Sequence, residues 1–374
     1  IAFSDISAVE AGNGDDVIIG AADQAWQLSG TDKEITANQI TFTEVEKATN
    51  GTVTGTTLAD EFTLVGTKEV KANEITFGNV TEVVAGNGTD EIIGAADQAW
   101  QLSGIDNQIT ANEIDFFTVE KATNGTITGT TGVDAFTVSD VVNTDKQVTA
   151  NSILFGNISA VNGADNTDTV TGSLTWNLLS TGFNASGINF TSVETVNSTA
   201  GGTLNGTALA DQFTLGANQQ VKVQSGSVTF ENITSVVGGE GTDEIVGASD
   251  QAWELSGTNK QITANEITFT AVEEATNGTV TGTASADEFT LVGTKQVTAN
   301  EITFGNVTGV AGGNGTDEII GAADQAWQLS GTNKQITANE IIFAAVEEAT
   351  NGTVTGTASA DEFTLVGTKQ VTAN

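Results

Sequence analysis

Carboxylates are the only abundant side chains in this chain that could take part in acid–base or ligand chemistry. The 374 residues include 48 Asp and Glu against 11 Lys, with no His and no Cys. The imidazole bases and thiol nucleophiles that many enzymes use are therefore missing. The acids recur as repeated singles, without one pair in a unique setting, so the sequence argues against an enzyme. A polysaccharide-active β-helix that uses two carboxylates is kept as a minor alternative.

Several of these aspartates mark an internal repeat. The phrase GNGTDEIIGAADQAWQLSG at Gly86–Gly104 returns at Gly313–Gly331. The Asp of this phrase and its counterparts, which we call the marker aspartates, recur at a nearly constant interval and are Asp16, Asp90, Asp168, Asp243 and Asp317. The spacing predicts one continuous repeat solenoid over 1–374, a segment of a longer chain, with repeats at 12–85, 86–161, 162–238, 239–312 and 313–374, the last one incomplete.

Each repeat of about 74 residues divides into two halves of about 35 to 39 residues. The segment ITANQITF at 35–42 recurs as VKANEITF at 70–77 and as ITANEIDF at 109–116. The apolar segments are short, rich in Val, Ile, Thr and Phe, and separated by Gly, Asn and Asp, with no sustained 3.6-residue period. The pattern predicts an all-β protein, a parallel β-solenoid of the β-roll or β-helix type.

The aromatic residues predict which positions lie inside the solenoid. One series alternates between the two halves and contains Trp26, Phe62, Trp100, Phe136, Trp176, Phe213, Trp253, Phe289, Trp327 and Phe363. A second series comes from the ITF segments and contains Phe3, Phe42, Phe77, Phe116, Phe155, Phe190, Phe230, Phe269, Phe304 and Phe343. We expect both series to be buried at equivalent positions of successive coils.

A finer alignment gives an expected coil length. Asn73–Phe77 aligns with Asp90–Gly94 and then with Asn112–Phe116, at unequal offsets whose average is close to two nonapeptides. The alignment predicts coils of about 18 residues, four per repeat, as in a β-roll of nonapeptides. Asp90 would then have Asn73 and Asn112 as its neighbours in adjacent coils. The stretch Asn162–Gly202 departs from the pattern and is expected to be the least regular.

Three turns resemble a known calcium-binding motif. Ala85–Ile93, Ala11–Ile19 and Gly238–Val246 resemble the nonapeptide G-G-x-G-x-D-x-U-x of the RTX family of secreted repetitive proteins. The resemblance implies that turns of successive coils supply oxygen ligands to Ca²⁺. It makes calcium the candidate cofactor and selects as candidate ligands Asp16, Asp90, Asp243 and Asp317. The turn around Asp168 departs most from the motif and is left out of this set.

Composition narrows the setting and the partners. The net charge of −37 disfavours nucleic acid, and no apolar run is long enough to span a bilayer as a helix. The RTX resemblance implies export, so we expect an extracellular or cell-surface location and self-association into fibres or layers. Seven lysines recur at one turn, and we expect them to pair with nearby Glu and protect strand edges, with a heparin-like binding line as the alternative; they are Lys33, Lys68, Lys146, Lys260, Lys295, Lys334 and Lys369.

Two functions of different kinds fit this sequence. The first is a structural role, as the shaft of a bacterial surface fibre, a surface layer or a biofilm matrix filament. The second is the spacer stalk of a giant RTX-type adhesin that projects a separate binding domain. An ice-binding solenoid is a minor alternative, because TVTGT at 52–56 and 279–283 comes once per repeat and not once per coil.

Overall fold

The computed structural model describes residues 1–139, 146–172, 174–223 and 227–373, and these contain strands, turns and bends but no helix. The fold is a parallel β-solenoid, as the repeat predicts. The chain divides into two compact units: unit 1 comprises Ile1–Leu174 and Thr181–Asn197, and unit 2 comprises Thr175–Ser180 and Ser198–Asn374. All three points of division lie within Asn162–Gly202, the stretch that the sequence predicts to be least regular.

Unit 1 consists of short strands joined by tight turns. Its strands are β1 (Ala8–Glu10), β2 (Val17–Ile19), β3 (Ala25–Leu28), β4 (Ile35–Ala37), β5 (Ile40–Thr43), β6 (Lys47–Thr54), β7 (Glu61–Gly66), β8 (Glu69–Ala72), β9 (Ile75–Val84), β10 (Glu91–Ile93), β11 (Ala99–Leu102), β12 (Gln108–Ala111), β13 (Ile114–Phe117), β14 (Lys121–Thr128), β15 (Ala135–Val138), β16 (Val148–Ala150), β17 (Ile153–Asn162), β18 (Thr169–Gly172), β20 (Phe183–Ala185) and β21 (Ile188–Thr191).

Unit 2 is built in the same way. Strand β22 (Thr195–Asn205) contains the boundary between the units, and the strands of unit 2 are β19 (Thr175–Leu178), β23 (Gln212–Leu215), β24 (Val221–Val223), β25 (Val228–Val237), β26 (Glu244–Val246), β27 (Ala252–Leu255), β28 (Gln261–Ala264), β29 (Ile267–Thr270), β30 (Glu274–Thr281), β31 (Glu288–Gly293), β32 (Gln296–Ala299), β33 (Ile302–Ala311), β34 (Glu318–Ile320), β35 (Ala326–Leu329), β36 (Gln335–Ala338), β37 (Ile341–Ala344), β38 (Glu348–Thr350), β39 (Thr353–Thr355), β40 (Phe363–Gly367) and β41 (Gln370–Ala373).

The coils are longer than the sequence alignment predicts. Strands β7, β10 and β14 stack in parallel, and Glu61 pairs with Glu91, which pairs in turn with Lys121. Equivalent positions in successive strands of this column are 30 residues apart along the chain. In the neighbouring column, Thr76 pairs with Lys47, at almost the same separation. The predicted coil of two nonapeptides is therefore wrong.

A hairpin within each coil accounts for the extra length. Strand β8 is antiparallel to both β7 and β9, so each coil makes an excursion of three antiparallel strands before the parallel ladder resumes. The turn between β8 and β9 places Asn73 and Glu74 at φ of 46° and 60°. Positive φ at both central residues is the requirement of a two-residue type I′ hairpin turn. Of the segments that the sequence aligned as successive coils, Asn73–Phe77 and Asn112–Phe116 each contain such a hairpin turn, whereas Asp90–Gly94 belongs to β10 in a different parallel column.

The tryptophans occupy equivalent interior positions, as predicted. Each is the second residue of a short strand, and all five are 0 to 2% exposed. Each of four indole N–H groups donates to the main-chain carbonyl of an asparagine, as Trp100 does to Asn124 at 2.6 Å. In unit 2, Trp176 instead donates to the hydroxyl of buried Ser198 at 2.7 Å. A buried indole thus has its single donor satisfied in every repeat.

The phenylalanine series is buried with three exceptions. Phe42 is half-buried, Phe3 is exposed ahead of the first strand, and Phe363 is exposed in the hairpin β40–β41, which pairs with no other described strand. The other described members of both Phe series are buried. The prediction that all of them are interior is therefore wrong at these three positions.

We expect Trp100→Ala to lower the free energy of unfolding by about 3 to 5 kcal/mol, because it leaves a large cavity and an unpaired carbonyl at Asn124. Denaturant unfolding monitored by far-UV circular dichroism measures the change. The matched control is Val65→Ala, at a side chain that is 49% exposed, for which the change should stay within about 0.5 kcal/mol. A similarly small cost for Trp100→Ala would contradict the buried series.

Candidate functional site

The marker aspartates lie in stacks of carboxylates at the turns that precede parallel strands. In unit 1, Asp60, Asp90 and Glu120 each come directly before a strand, at β7, β10 and β14. The stack recurs as Asp134, Asp168 and Glu194 in the same unit, and in unit 2 as Asp211, Asp243 and Glu273 and as Asp287, Asp317 and Glu347. Asp16 and Glu46 form a two-membered version.

Hydrogen bonds to the main chain hold each stack together. The N–H of Asp60 donates to Asp90 Oδ1 at 2.8 Å, and the N–H of Asp90 donates to Glu120 Oε2 at 2.9 Å. The corresponding distances in the other stacks are also 2.8 and 2.9 Å. The neighbours of Asp90 in adjacent coils are thus Asp60 and Glu120, and the predicted neighbours Asn73 and Asn112 are wrong because both lie at hairpin turns.

The first aspartate of each stack has its second oxygen satisfied locally. Asp60 Oδ2 accepts the N–H of Thr56 at 2.6 Å and its hydroxyl at 2.9 Å. A threonine occupies the same position before every member of this group, which we call the capped aspartates: Asp60, Asp134, Asp211, Asp287 and Asp361. At Asp60, this oxygen therefore accepts both the N–H and the hydroxyl group of a threonine in its own turn, and it needs no other ligand.

The marker aspartates have no such cap. Glycine or alanine replaces the threonine at the equivalent position of each turn, and the N–H of Gly86 donates instead to Thr118 Oγ1 at 3.0 Å. The second carboxyl oxygen is consequently buried without a hydrogen-bond partner in all five, namely Asp16, Asp90, Asp168, Asp243 and Asp317. The sequence carries a signal for this difference, because GT precedes the capped group whereas AG, GG or GA precedes the marker group.

Close packing around this oxygen leaves little room for a ligand. At Gly238, an added Cβ would lie 2.6 Å from Asp243 Oδ2 and 2.1 Å from the carbonyl oxygen of Ala271 in the next coil. Gly163 and Gly312 have the same surroundings. The carboxyl oxygen thus sits beside a glycine and close to a main-chain carbonyl, which is another acceptor and cannot satisfy an ionised carboxylate.

Burial and neighbouring acids change the acidity of the stack. Burial raises the pKa of the Asp90 carboxyl above its ordinary value, and the charges of Glu120 and Asp60 raise it further. The pKa values of Asp168, Asp243 and Asp317 are raised in the same way, with burial as the first cause. A protonated carboxyl group can donate to a nearby carbonyl, so this environment favours the protonated form more than water does.

Lysines offset part of the negative charge of the glutamates in three of the stacks. Lys33 Nζ lies 2.8 Å from Glu46, and the hydrogen bonds from this amine and from the N–H of Asp16 lower the pKa of Glu46. The five ion pairs found among the described residues all involve the recurring lysines and join Lys33 to Glu46, Lys68 to Glu113, Lys260 to Glu273, Lys295 to Glu340 and Lys334 to Glu347. This arrangement agrees with the expected local pairing.

The stacks do not present a formed calcium site. Calcium takes six to eight oxygen ligands, whereas in each full stack two or more carboxyl oxygens already accept main-chain N–H groups and the remaining marker oxygen is enclosed. No group of three or more acidic, His or Cys side chains is placed to hold a metal ion within the residues that the structure describes. The four candidate ligands lie in four separate stacks, so the structure does not bring them together: Asp16, Asp90, Asp243 and Asp317.

No model of a known protein family matches the chain, and no curated protein shows significant sequence similarity to it. The likeness to the RTX family therefore rests only on the turn motifs quoted above.

In the described part of the chain, no helix has the length and apolar character needed to cross a membrane.

The stacks predict a stability that falls as the pH rises above about 4. Because the folded-state pKa of Asp90 is raised, its contribution is complete below the unfolded pKa of about 3.9 and is lost as the pH rises through the folded value. The lowered pKa values of Glu46 and Glu347 act at lower pH, where stability is lost as the pH falls through their folded values. Melting temperatures measured against pH in high salt, which screens general charge repulsion, would show both the loss of stability above pH 4 and the loss at lower pH.

Asparagine variants separate the stacks from general charge repulsion. We expect Asp90→Asn to reduce the decline above pH 4 and to leave stability at pH 7 unchanged or higher, because the amide resembles the protonated acid. The control, Asp60→Asn, alters a carboxylate that works as an acceptor and should cost about 1 to 2 kcal/mol at pH 7. Equal losses in the two variants would show that Asp90 is ionised in the folded protein.

Proposed function

We propose that this chain is a structural segment of an extracellular repeat protein, and that it forms the shaft of a bacterial surface fibre, surface layer or biofilm matrix filament. The observation that carries the proposal is that the same polar residues recur in both units and are used for bonds within the chain. The stack of Asp60, Asp90 and Glu120 and the Trp100 donor both recur in each unit with the same partners and distances.

The surface supports the same proposal. A net charge of −37 disfavours close contact between copies unless ions screen or bridge their carboxylates. Directly stacked glutamates contribute to this charge: Glu288, Glu318 and Glu348 are paired neighbours on successive parallel strands of unit 2. Self-association of an extracellular shaft is therefore expected to depend on cations, which are abundant outside the cell.

Electron microscopy with sedimentation velocity tests the proposed function. We expect single particles in chelator at low salt, and fibres or layers when divalent cations are added at an ionic strength matched with NaCl. Reversal by chelator would show that the cations bridge copies and do not merely aggregate them. Particles that remain single under all of these conditions would contradict a self-assembling shaft and would favour the alternative, a spacer stalk that acts alone between other domains.

Calcium is retained as a proposed ligand of the marker turns. Binding at Asp90 would require an ionised carboxyl and an opened turn, because its second oxygen is enclosed. The expected result is a melting temperature that CaCl₂ raises more than NaCl of equal ionic strength does, with a smaller increment in Asp90→Asn. Identical curves in CaCl₂, NaCl and chelator would remove calcium from the proposal and leave the structural role intact.

A further inference from the structure

The chain contains nine Asn-Gly pairs, the dipeptide in which an asparagine most readily loses its amide. They begin at Asn13, Asn50, Asn87, Asn124, Asn162, Asn205, Asn277, Asn314 and Asn351. Seven of them fall into two environments that differ in side-chain bonding. The strand group is Asn50, Asn124 and Asn277, which lie within strands, together with Asn351, which takes the equivalent position between β38 and β39; the turn group is Asn13, Asn87 and Asn314.

Hydrogen bonds hold the amides of the strand group. Asn50 Nδ2 donates to the carbonyl of Gly20 at 2.7 Å, and its Oδ1 accepts from Asn79 Nδ2 at 2.7 Å. Asn124 and Asn277 make the same two contacts, at 2.6 to 2.8 Å, and Asn351 Nδ2 donates to the carbonyl of Gly321. All four lie at φ between 67° and 75°. The amide carbon is thereby fixed in one orientation.

The turn group is free of these restraints. Asn13, Asn87 and Asn314 are exposed, and among the described residues their side chains make no hydrogen bond. The main-chain N–H of Asn87 donates to the carbonyl of Thr56 at 3.2 Å, which leaves the amide able to rotate. In the fourth repeat the same position is occupied by Glu240, so the turn accommodates a carboxylate there.

We propose that Asn13, Asn87 and Asn314 are sites of spontaneous deamidation, and that the strand group is protected by its hydrogen bonds. At Asn87, the main-chain nitrogen of Gly88 loses its proton and attacks the amide carbon. An N–C bond forms, the bond from that carbon to Nδ2 breaks, and the departing nitrogen takes up one proton and leaves as ammonia. Water then opens the resulting succinimide at either carbonyl, which gives an aspartyl or an isoaspartyl residue. No oxidant or cofactor is needed.

The modification changes the charge of the turns that carry the marker aspartates. Each event adds one negative charge within the turn, just before a marker aspartate, and conversion of all three sites would take the net charge from −37 to −40. The turns of three repeats would then carry an acid where the fourth repeat has Glu240. Ageing of the chain would thus increase the attraction of these turns for cations. This inference does not depend on the proposed structural function.

Peptide mapping by mass spectrometry tests the proposal. The intact chain is incubated at mildly alkaline pH and then cleaved after lysine, which puts into separate peptides Asn13, Asn50, Asn87, Asn124, Asn277, Asn314 and Asn351. We expect the turn group to convert at least about tenfold faster than Asn50, Asn124 and Asn277, because these must first break two hydrogen bonds. Equal rates, or faster conversion of the strand group, would overturn the proposal.

A variant and a denatured sample test the cause. Asn79→Gly removes the donor to Asn50 and suits the φ of 54° at that position. Conversion of Asn50 should become faster in this variant, while Asn124, whose partner Asn157 is unchanged, serves as the internal control. In urea the rates of all sites should converge. An unchanged rate at Asn50, or a difference between the groups that persists in urea, would show that these bonds do not protect the amide.

Discussion

A carboxylate that accepts the main-chain N–H of the preceding coil is the contact on which the rest of the solenoid depends. At the corner before each parallel strand, the N–H of Asp60 points to Asp90 and that of Asp90 points to Glu120, while the carbonyl of Asp60 receives the N–H of Glu91. A buried N–H without a partner is costly, so each corner needs an acid at one fixed place. The regular spacing of these acids matches the length of a coil, and the high acid content follows in part from a structural requirement.

Such a design places like charges next to each other, and the structure reduces the resulting cost in three ways. Threonine hydrogen bonds stabilise the capped aspartates, as in Asp60. Lysines at the hairpin turns neutralise glutamates such as Glu46 and Glu347. The marker aspartates have neither partner, and burial raises the pKa of Asp90, which makes its carboxyl easier to protonate than it is in water. These three solutions recur in register, which is why the acids show a periodic pattern in the sequence.

The sequence was sufficient for the class of fold and for the tryptophan interior, because Trp100 and its counterparts stand at one fixed position in strands of alternating burial. It failed at the hairpins. Asn-Glu is not the usual type I′ dipeptide, and its positive φ at Glu74 could not be expected from residue preference. Because the hairpin was not expected, the alignment of repeats within the sequence was out of register. It placed Asn73 beside Asp90, where the structure has Asp60. The sequence does contain the regular spacing of acids that places Asp60 beside Asp90. It also contains the spacing that places Asn73 beside Asp90, and only the observed strand pairing decides between the two.

The third repeat differs from its neighbours at the bond that fixes its tryptophan, where Ser198 replaces the carbonyl of an asparagine and strand β22 has 11 residues against 8 in β6, β14 and β30. Near-identical repeats create a problem of alignment during folding, because a chain shifted by one whole repeat would recover almost every contact at the new position. A repeat with its own acceptor and strand length cannot be exchanged for another. Ser198 and β22 therefore give an otherwise degenerate chain a reference point that makes one folded register lower in energy than its shifted copies.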